Sequence, residues 1–276
     1  MTEPFIEPPP KSVVARALLI LGQFSIDTPA LTISELSRST GLAVATVFRL
    51  LGELEAGQYV ERSPRGRYRL GKRLWEMGLL TPLHGRLRES ALPFLLNLQY
   101  KTGETVQFAI PDGSTALYIE KLTNEESVPQ QSRIGARMPL HATGLGKAML
   151  AFSKPEVLDE VLAQPLKPYT PHTLVDPDSF RQELHQIRNR GYATSSEEYV
   201  PGSMSIAAPV MVGESVQAAV ALVNYRLEGD LERFSEPLLH AAEGIGRRLR
   251  DMEGLDFPSL HAPENGIPEG NATAQG

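Results

Sequence analysis

Apolar residues Val13, Ala17, Leu18, Leu21 and Phe24 recur at the three- and four-residue spacing of a helix, and Ser12 stands where an N-cap belongs. Asp27-Thr28-Pro29 breaks that pattern, and Leu31-Thr32-Ile33 reads as a short extended piece. A second helix is predicted over residues 35–39, capped by Ser34 and ended by Gly41. A third spans residues 43–56, with Val47, Leu50, Leu51 and Leu54 on one side and Gly57 as its stop. Residues 59–62 and 67–70 predict two short strands around the turn-forming Ser63-Pro64-Arg65-Gly66. Residues 73–80 predict a linker helix that Pro82 interrupts.

Beyond Pro82 the period alternates between helix and strand. A helix is predicted over residues 83–101, then strands at 105–110 and 115–122, turned by Pro111-Asp112-Gly113. Residues 139–152 hold an apolar helix with Gly144 and Gly146 at its head. Helices at 155–163 and 177–190 precede strands at 192–196, 205–212 and 216–225. A last helix, 231–252, carries Phe234, Leu238, Ala241, Ala242, Ile245 and Leu249 on one face. Helices flanking a largely antiparallel sheet make this part α+β. The chain divides into a disordered Pro-rich arm (1–11), a winged helix-turn-helix (12–72), a linker helix (73–81), a second domain (82–255) and a disordered tail (256–276).

Charge separates the two domains. The net charge is −6 overall, but residues 1–80 hold ten Lys or Arg against eight Asp or Glu, and residues 81–276 hold 17 against 25. Arg62, Arg65, Arg67, Arg69, Lys72 and Arg73 cluster just behind the third helix, as a phosphate-contacting surface would. There is no cysteine, no membrane-spanning apolar run and no secretory leader, so a soluble cytoplasmic protein is expected. Six scattered histidines lack metal-ligand spacing, so neither a metal nor a cofactor is expected. No GxSxG elbow or P-loop is present, and Glu197 and Glu198, adjacent on a strand, would point to opposite faces. An enzyme is therefore not expected. The alternative is a ligand-binding or interaction protein, or an enzyme of GAF-like fold, without DNA-binding activity.

A helix-turn-helix places the start of its second helix against the bases of double-stranded DNA. Here Thr46 and Arg49 can hydrogen-bond, while Val44 and Ala45 offer only apolar contact, for example to a thymine methyl. Ser34 can cap its own helix or bond a phosphate, and Arg65 and Arg67 of the hairpin can reach the backbone or minor groove. In the second domain, Thr143-Gly144-Leu145-Gly146 opens a helix whose free N–H groups and dipole suit a carboxylate. Alternatively, Gly144 and Gly146 merely permit a tight turn. His141 reads as a packed structural residue rather than a ligand partner.

The block GLAVATVFRLLGELEAGQYVERSPRGRYRLG resembles the winged helix of the IclR family of bacterial transcriptional regulators. RIGARMPLHATGLGKAMLA and EEYVPGSMSIAAPV resemble two signature stretches of that family's effector domain, so the likeness runs from about Ser12 to Glu253. The resemblance implies a GAF-like effector domain, a homodimer or tetramer, and control of operator binding or activation by a small organic or aromatic acid. It also implies a pocket that draws on Met138, Leu145, Ser195, Ser203, Ser205, Ala221 and Val223. In relatives that bind small keto acids, the positions matching Ser195, Ser205, Ala221 and Val223 are acidic, cysteine, serine and serine. The loss of two hydroxyls here favours a ligand with a larger apolar body. Trp75 is expected to pack against its own domain or, by the resemblance, against a partner protomer.

Overall fold

A computed structural model describes residues 10–25, 27–81, 87–123, 133–224 and 231–251. The expected arm, apart from its last residues, and the tail lie outside these. The chain forms two compact units that meet between Thr81 and Pro82.

The first unit holds α1 (Val13–Leu21), α2 (Ile33–Thr40), α3 (Val44–Ala56), strands β1 (Val60–Arg62) and β2 (Tyr68–Leu70), and α4 (Lys72–Leu79). Ser12 caps α1, as its position predicts. Ala17, Leu21 and Phe24 of the predicted inward face pack on the core, and Ile20 joins them in place of Val13 and Leu18. Ile20 is fully buried against Leu36, Val47, Leu50, Leu51, Val60 and Tyr68, whereas Val13 and Leu18 are exposed. The cap of α2 is Thr32, not Ser34. Thr32 Oγ1 accepts from the Glu35 amide at 3.3 Å while Glu35 Oε2 accepts from the Thr32 amide at 2.7 Å. This reciprocal box starts the helix earlier and leaves Ser34 exposed inside its first turn. Leu31 and Tyr68 exchange backbone hydrogen bonds at 2.9 and 2.7 Å, which ties the segment before α2 to the hairpin. Trp75 on α4 is 68% exposed.

The second unit holds α5 (Glu89–Thr102), β3 (Thr105–Asp112), β4 (Thr115–Leu122), β5 (Arg137–Pro139), α6 (Gly144–Ala151), α7 (Pro155–Leu162), α8 (Pro177–Arg190), β6 (Ala193–Ser196), β7 (Met204–Val212), β8 (Ser215–Asn224), a 3-10 turn (Leu231–Phe234) and α9 (Ser235–Arg250). The six strands form one antiparallel sheet in the order β5-β4-β3-β8-β7-β6. Helices cover both faces. Ala91, Leu95 and Leu98 of α5, with Leu238, Ile245 and Leu249 of α9, pack on Phe108, Ile206, Val220 and Leu222. α6 packs on the opposite face, against Ala109, Ala207, Ala219 and Ala221, and α8 packs on α6, with residues of α7 in the same apolar cluster. The alternation along β8, Val220 and Leu222 one way and Ala219 and Ala221 the other, is the two-residue period of a strand buried on both sides. α5 follows directly on helical residues 87 and 88, and the predicted helix start near 83 falls on residues 82–86, which lie outside those described. Strand β5 has no sequence prediction behind it; three residues are too few for periodicity to register.

Candidate functional site

In the first unit, Gly41 takes a left-handed conformation (φ 67°) that ends α2 and turns the chain into α3. Leu42, Val47, Leu50 and Leu51 anchor α3 to the core. Its opposite side presents Val44, Ala45, Phe48 and Arg49 to solvent, with Thr46 half-buried. Arg49 makes an exposed i,i+4 pair with Glu53 at 3.6 Å, a tie weak enough to be exchanged for another anion. Phe48, 59% exposed, is absent from the sequence-based site. It lies one turn beyond Val44 and off the Val47/Leu50 face, and that spacing is the signal that marks it.

The hairpin closes at Gly66 (φ 75°), whose amide donates to the Ser63 carbonyl. Arg65 is exposed at its tip and makes no ion pair among the described residues. Arg67 does not stand free beside it. Its guanidinium donates to the Ala30 carbonyl at 2.6 and 3.2 Å and pairs with Glu35 at 3.2 Å, so it braces the hairpin against α2. Arg69 pairs with Glu61 at 2.8 Å across the strands. Arg62 lies over the Tyr68 ring. Hydrogen bonds from Thr32 and then the Arg67 charge hold the Glu35 carboxyl below its ordinary range, and Arg69 does the same for Glu61.

In the second unit a cavity of about 50 Å³ lies where α6 meets the sheet. Met138, Thr143, Gly144, Leu145, Ser195, Ser203, Ser205, Ala221 and Val223 all line it, so the structure brings these nine together. Strand register explains how. Ser195 pairs with Ser205, which pairs with Val223, in one row across β6, β7 and β8. Gln107, Ala221 and Ala207 form the next row. Sequence reasoning missed Gln107, Tyr118, Ala142, Tyr199 and Val200, which also line the cavity. The apolar and phenolic side chains read as core, and the Gln107 amide as an ordinary strand residue, until the strand order is known.

The start of α6 forms one wall. Thr143 Oγ1 donates to the Pro139 carbonyl at 3.0 Å and accepts from the Gly146 amide at 3.1 Å. The amides of Gly144 and Leu145 have no acceptor among the described residues and lie at the positive end of the helix. A Cβ on Gly144 would meet Ser205 Oγ, while one on Gly146 would run into the backbone of Leu140. Gly146 is thus a packing glycine, and Gly144 faces the cavity. Burial raises the Tyr199 phenol above its usual range, so it stays neutral and can donate a hydrogen bond. His141 is buried outside the lining, bonded to the Lys167 carbonyl at 2.9 Å and 5.8 Å from the Tyr169 ring centroid.

One charged group beside the cavity escapes the sequence reading. Lys147 on α6, 1% exposed, pairs with buried Glu198 at 2.5 Å and lies 4.0 Å from Glu183 of α8. The two partners stand 51 residues apart, and only the fold joins them.

Residues 13–64 match the family model of the IclR helix-turn-helix domain, and residues 83–247 match that described as bacterial transcriptional regulator IclR C-terminal. The chain is 35% identical over 242 residues to the HTH-type transcriptional regulator XynR of Escherichia coli K12, covering 86% of this chain and 96% of that one. It is 32% identical to the HTH-type transcriptional repressor AllR of the same strain, covering 80% and 81%. An IclR homologue from Microbacterium hydrocarbonoxydans, solved in complex with 4-hydroxybenzoate, superposes with a TM-score of 0.83 at 33% identity, covering 87% of this chain and 100% of that one.

Proposed function

We propose, because this chain belongs to the IclR family of bacterial transcriptional regulators, that it binds operator DNA through α3 and the hairpin and that a small organic acid in the α6 cavity adjusts that binding. The observation that carries this reading is the make-up of one cavity. Two unbonded helix-start amides line it together with the hydroxyls of Ser195 and Ser205 and an apolar wall of Met138, Leu145, Ala221 and Val223, while the Ser203 hydroxyl in the same lining donates to the Val200 carbonyl at 2.7 Å. The amides and hydroxyls suit a carboxylate, and the wall suits a hydrocarbon body. An aromatic or branched acid fits that division better than a small keto acid. The neighbour solved with 4-hydroxybenzoate supports the same class.

On the DNA side, Thr46 and Arg49 supply hydrogen bonds, Val44 and Ala45 apolar contact, Ser34 a hydroxyl at the exposed start of α2, and Arg65 a phosphate contact. The active assembly is a homodimer or tetramer in which two hairpins and two α3 helices address half-sites about one helical turn apart or a multiple of it. The protein works in the cytoplasm and carries no catalytic role. Among the described residues no helix is long and apolar enough to cross a membrane.

Calorimetry with 4-hydroxybenzoate, other aromatic and branched-chain acids, pyruvate and glyoxylate tests the ligand class. Tighter binding of pyruvate or glyoxylate than of every aromatic or alkyl acid overturns it. An electrophoretic mobility shift on the DNA upstream of the chain's own gene, with and without the tightest acid, tests the coupling. A shift that no acid alters overturns the effector role.

A further inference from the structure

The cavity is closed on one side by a strap, residues 197–203, which contributes Tyr199, Val200 and Ser203 to its lining. The strap is a compact loop held from within. Glu197 has a positive φ (54°), its amide donates to the Ser203 carbonyl at 2.7 Å, and its Oε2 accepts from the Gly202 amide at 2.9 Å. A non-glycine residue with positive φ persists only where its surroundings enforce it. Thr170 and Thr173 pin the strap from outside, donating to the Glu197 and Glu198 carbonyls at 2.6 Å each, and the Tyr169 ring meets Tyr199 edge-on at 4.8 Å. None of these ties reaches α6. The bond that does is Lys147 Nζ to Glu198 Oε1 at 2.5 Å.

Two observations give this pair weight. Lys147 sits one turn beyond Gly144, and its amide donates to the Thr143 carbonyl at 2.9 Å, so its position and that of the cavity-facing amides move together. Glu198 Oε2 is buried without a hydrogen-bond partner among the described residues, so the carboxylate has Lys147 as its buried counter-charge. The cavity as it stands, about 50 Å³, is smaller than the ~150 Å³ that admits a benzene-sized molecule.

We propose, building on the reading of this cavity as the effector site, that Lys147 is a positioning residue for the effector. Through Glu198 it sets the separation between the α6 amides and the strap, and so the depth and closure of the cavity, without touching the ligand itself. Removing one partner would leave a buried charge alone and threaten folding. The double variant Lys147→Met/Glu198→Met removes both charges and keeps the volume, a replacement that buried pairs tolerate.

Hydrogen-exchange mass spectrometry on the full chain without ligand tests the tie. In the double variant, exchange in residues 199–203 is expected to quicken about tenfold or more while β8 and α9 keep their protection. Unchanged exchange in the strap, or acceleration spread evenly over the unit, overturns the proposal. Stopped-flow binding of 4-hydroxybenzoate, followed by tyrosine fluorescence, is expected to show association and dissociation both faster in the variant. Wild-type kinetics in the variant overturn it. If the wild-type chain does not bind 4-hydroxybenzoate, the tightest acid found by calorimetry replaces it in the kinetic arm, and if no acid binds, the effector-site reading fails while the exchange result still tests the tie between Lys147 and the strap.

Discussion

Gly144 and Gly146 stand two residues apart at the head of α6 under different constraints. A methyl on Gly146 meets the Leu140 backbone, which cannot step aside, whereas one on Gly144 meets the Ser205 hydroxyl, which can rotate. Gly146→Ala is therefore expected to cost about 1–3 kcal/mol by overpacking, read as a lower melting temperature. Gly144→Val is expected to abolish the response to the effector acid while operator binding persists in a mobility shift. The hairpin arginines divide in the same way. Arg65→Ala should weaken binding about equally on all DNA sequences and reduce the salt slope by roughly one, as the loss of one phosphate contact does. Arg67→Ala should lower the melting temperature of the first unit, because it unbraces Ala30 and Glu35. Arg49→Ala should weaken operator binding; full affinity in that variant would misplace α3 in the groove.

At the scale of the element, the capping box decides where α2 begins. Thr32→Ala is expected to cost about 1 kcal/mol and Ser34→Ala far less, in thermal melts. The Glu35 carboxyl lies below its ordinary value in the folded chain because Thr32 and Arg67 favour its charged form. Its contribution to stability is present above the ordinary carboxylate pKa and is lost as pH falls through the lowered folded value. Glu35→Gln should flatten that acid-side loss. α3 presents a separate case. Val44 and Phe48 form an exposed apolar pair at i,i+4 on the face expected to meet the bases. Replacing operator thymines by uracil, which removes only methyl groups, is expected to weaken the wild-type chain and leave Phe48→Ala little changed. Equal weakening of both would place Phe48 outside the groove.

At the scale of the molecule, a modestly basic head and an acidic body share one chain. If an acid in the second unit changes operator affinity by some factor, the operator must change the acid's affinity by the same factor, whatever path joins them. Titrating the acid by calorimetry with and without saturating operator checks this. Unequal factors would mean that a further species, such as a change of oligomeric state, shares the equilibrium.

Local chemistry made much of this protein legible from its sequence. Helix starts at Ser12 and Thr143, turns at Gly41 and Gly66, the period of β8 and the apolar face of α9 are all written within a few residues of where they act. The nine cavity residues also came from sequence, Thr143 and Gly144 through the chemistry of a helix start and the other seven through resemblance to family motifs rather than through periodicity. Tertiary structure alone decided which groups were already committed. Arg67 is spent on a carbonyl 37 residues away, and Lys147 finds its counter-charge 51 residues away. Gln107 and Tyr118 become cavity walls only because β3 lies between β4 and β8. A hydrogen bond or ion pair depends on distances of a few ångströms. Between residues so far apart along the chain, only strand order and helix packing set those distances.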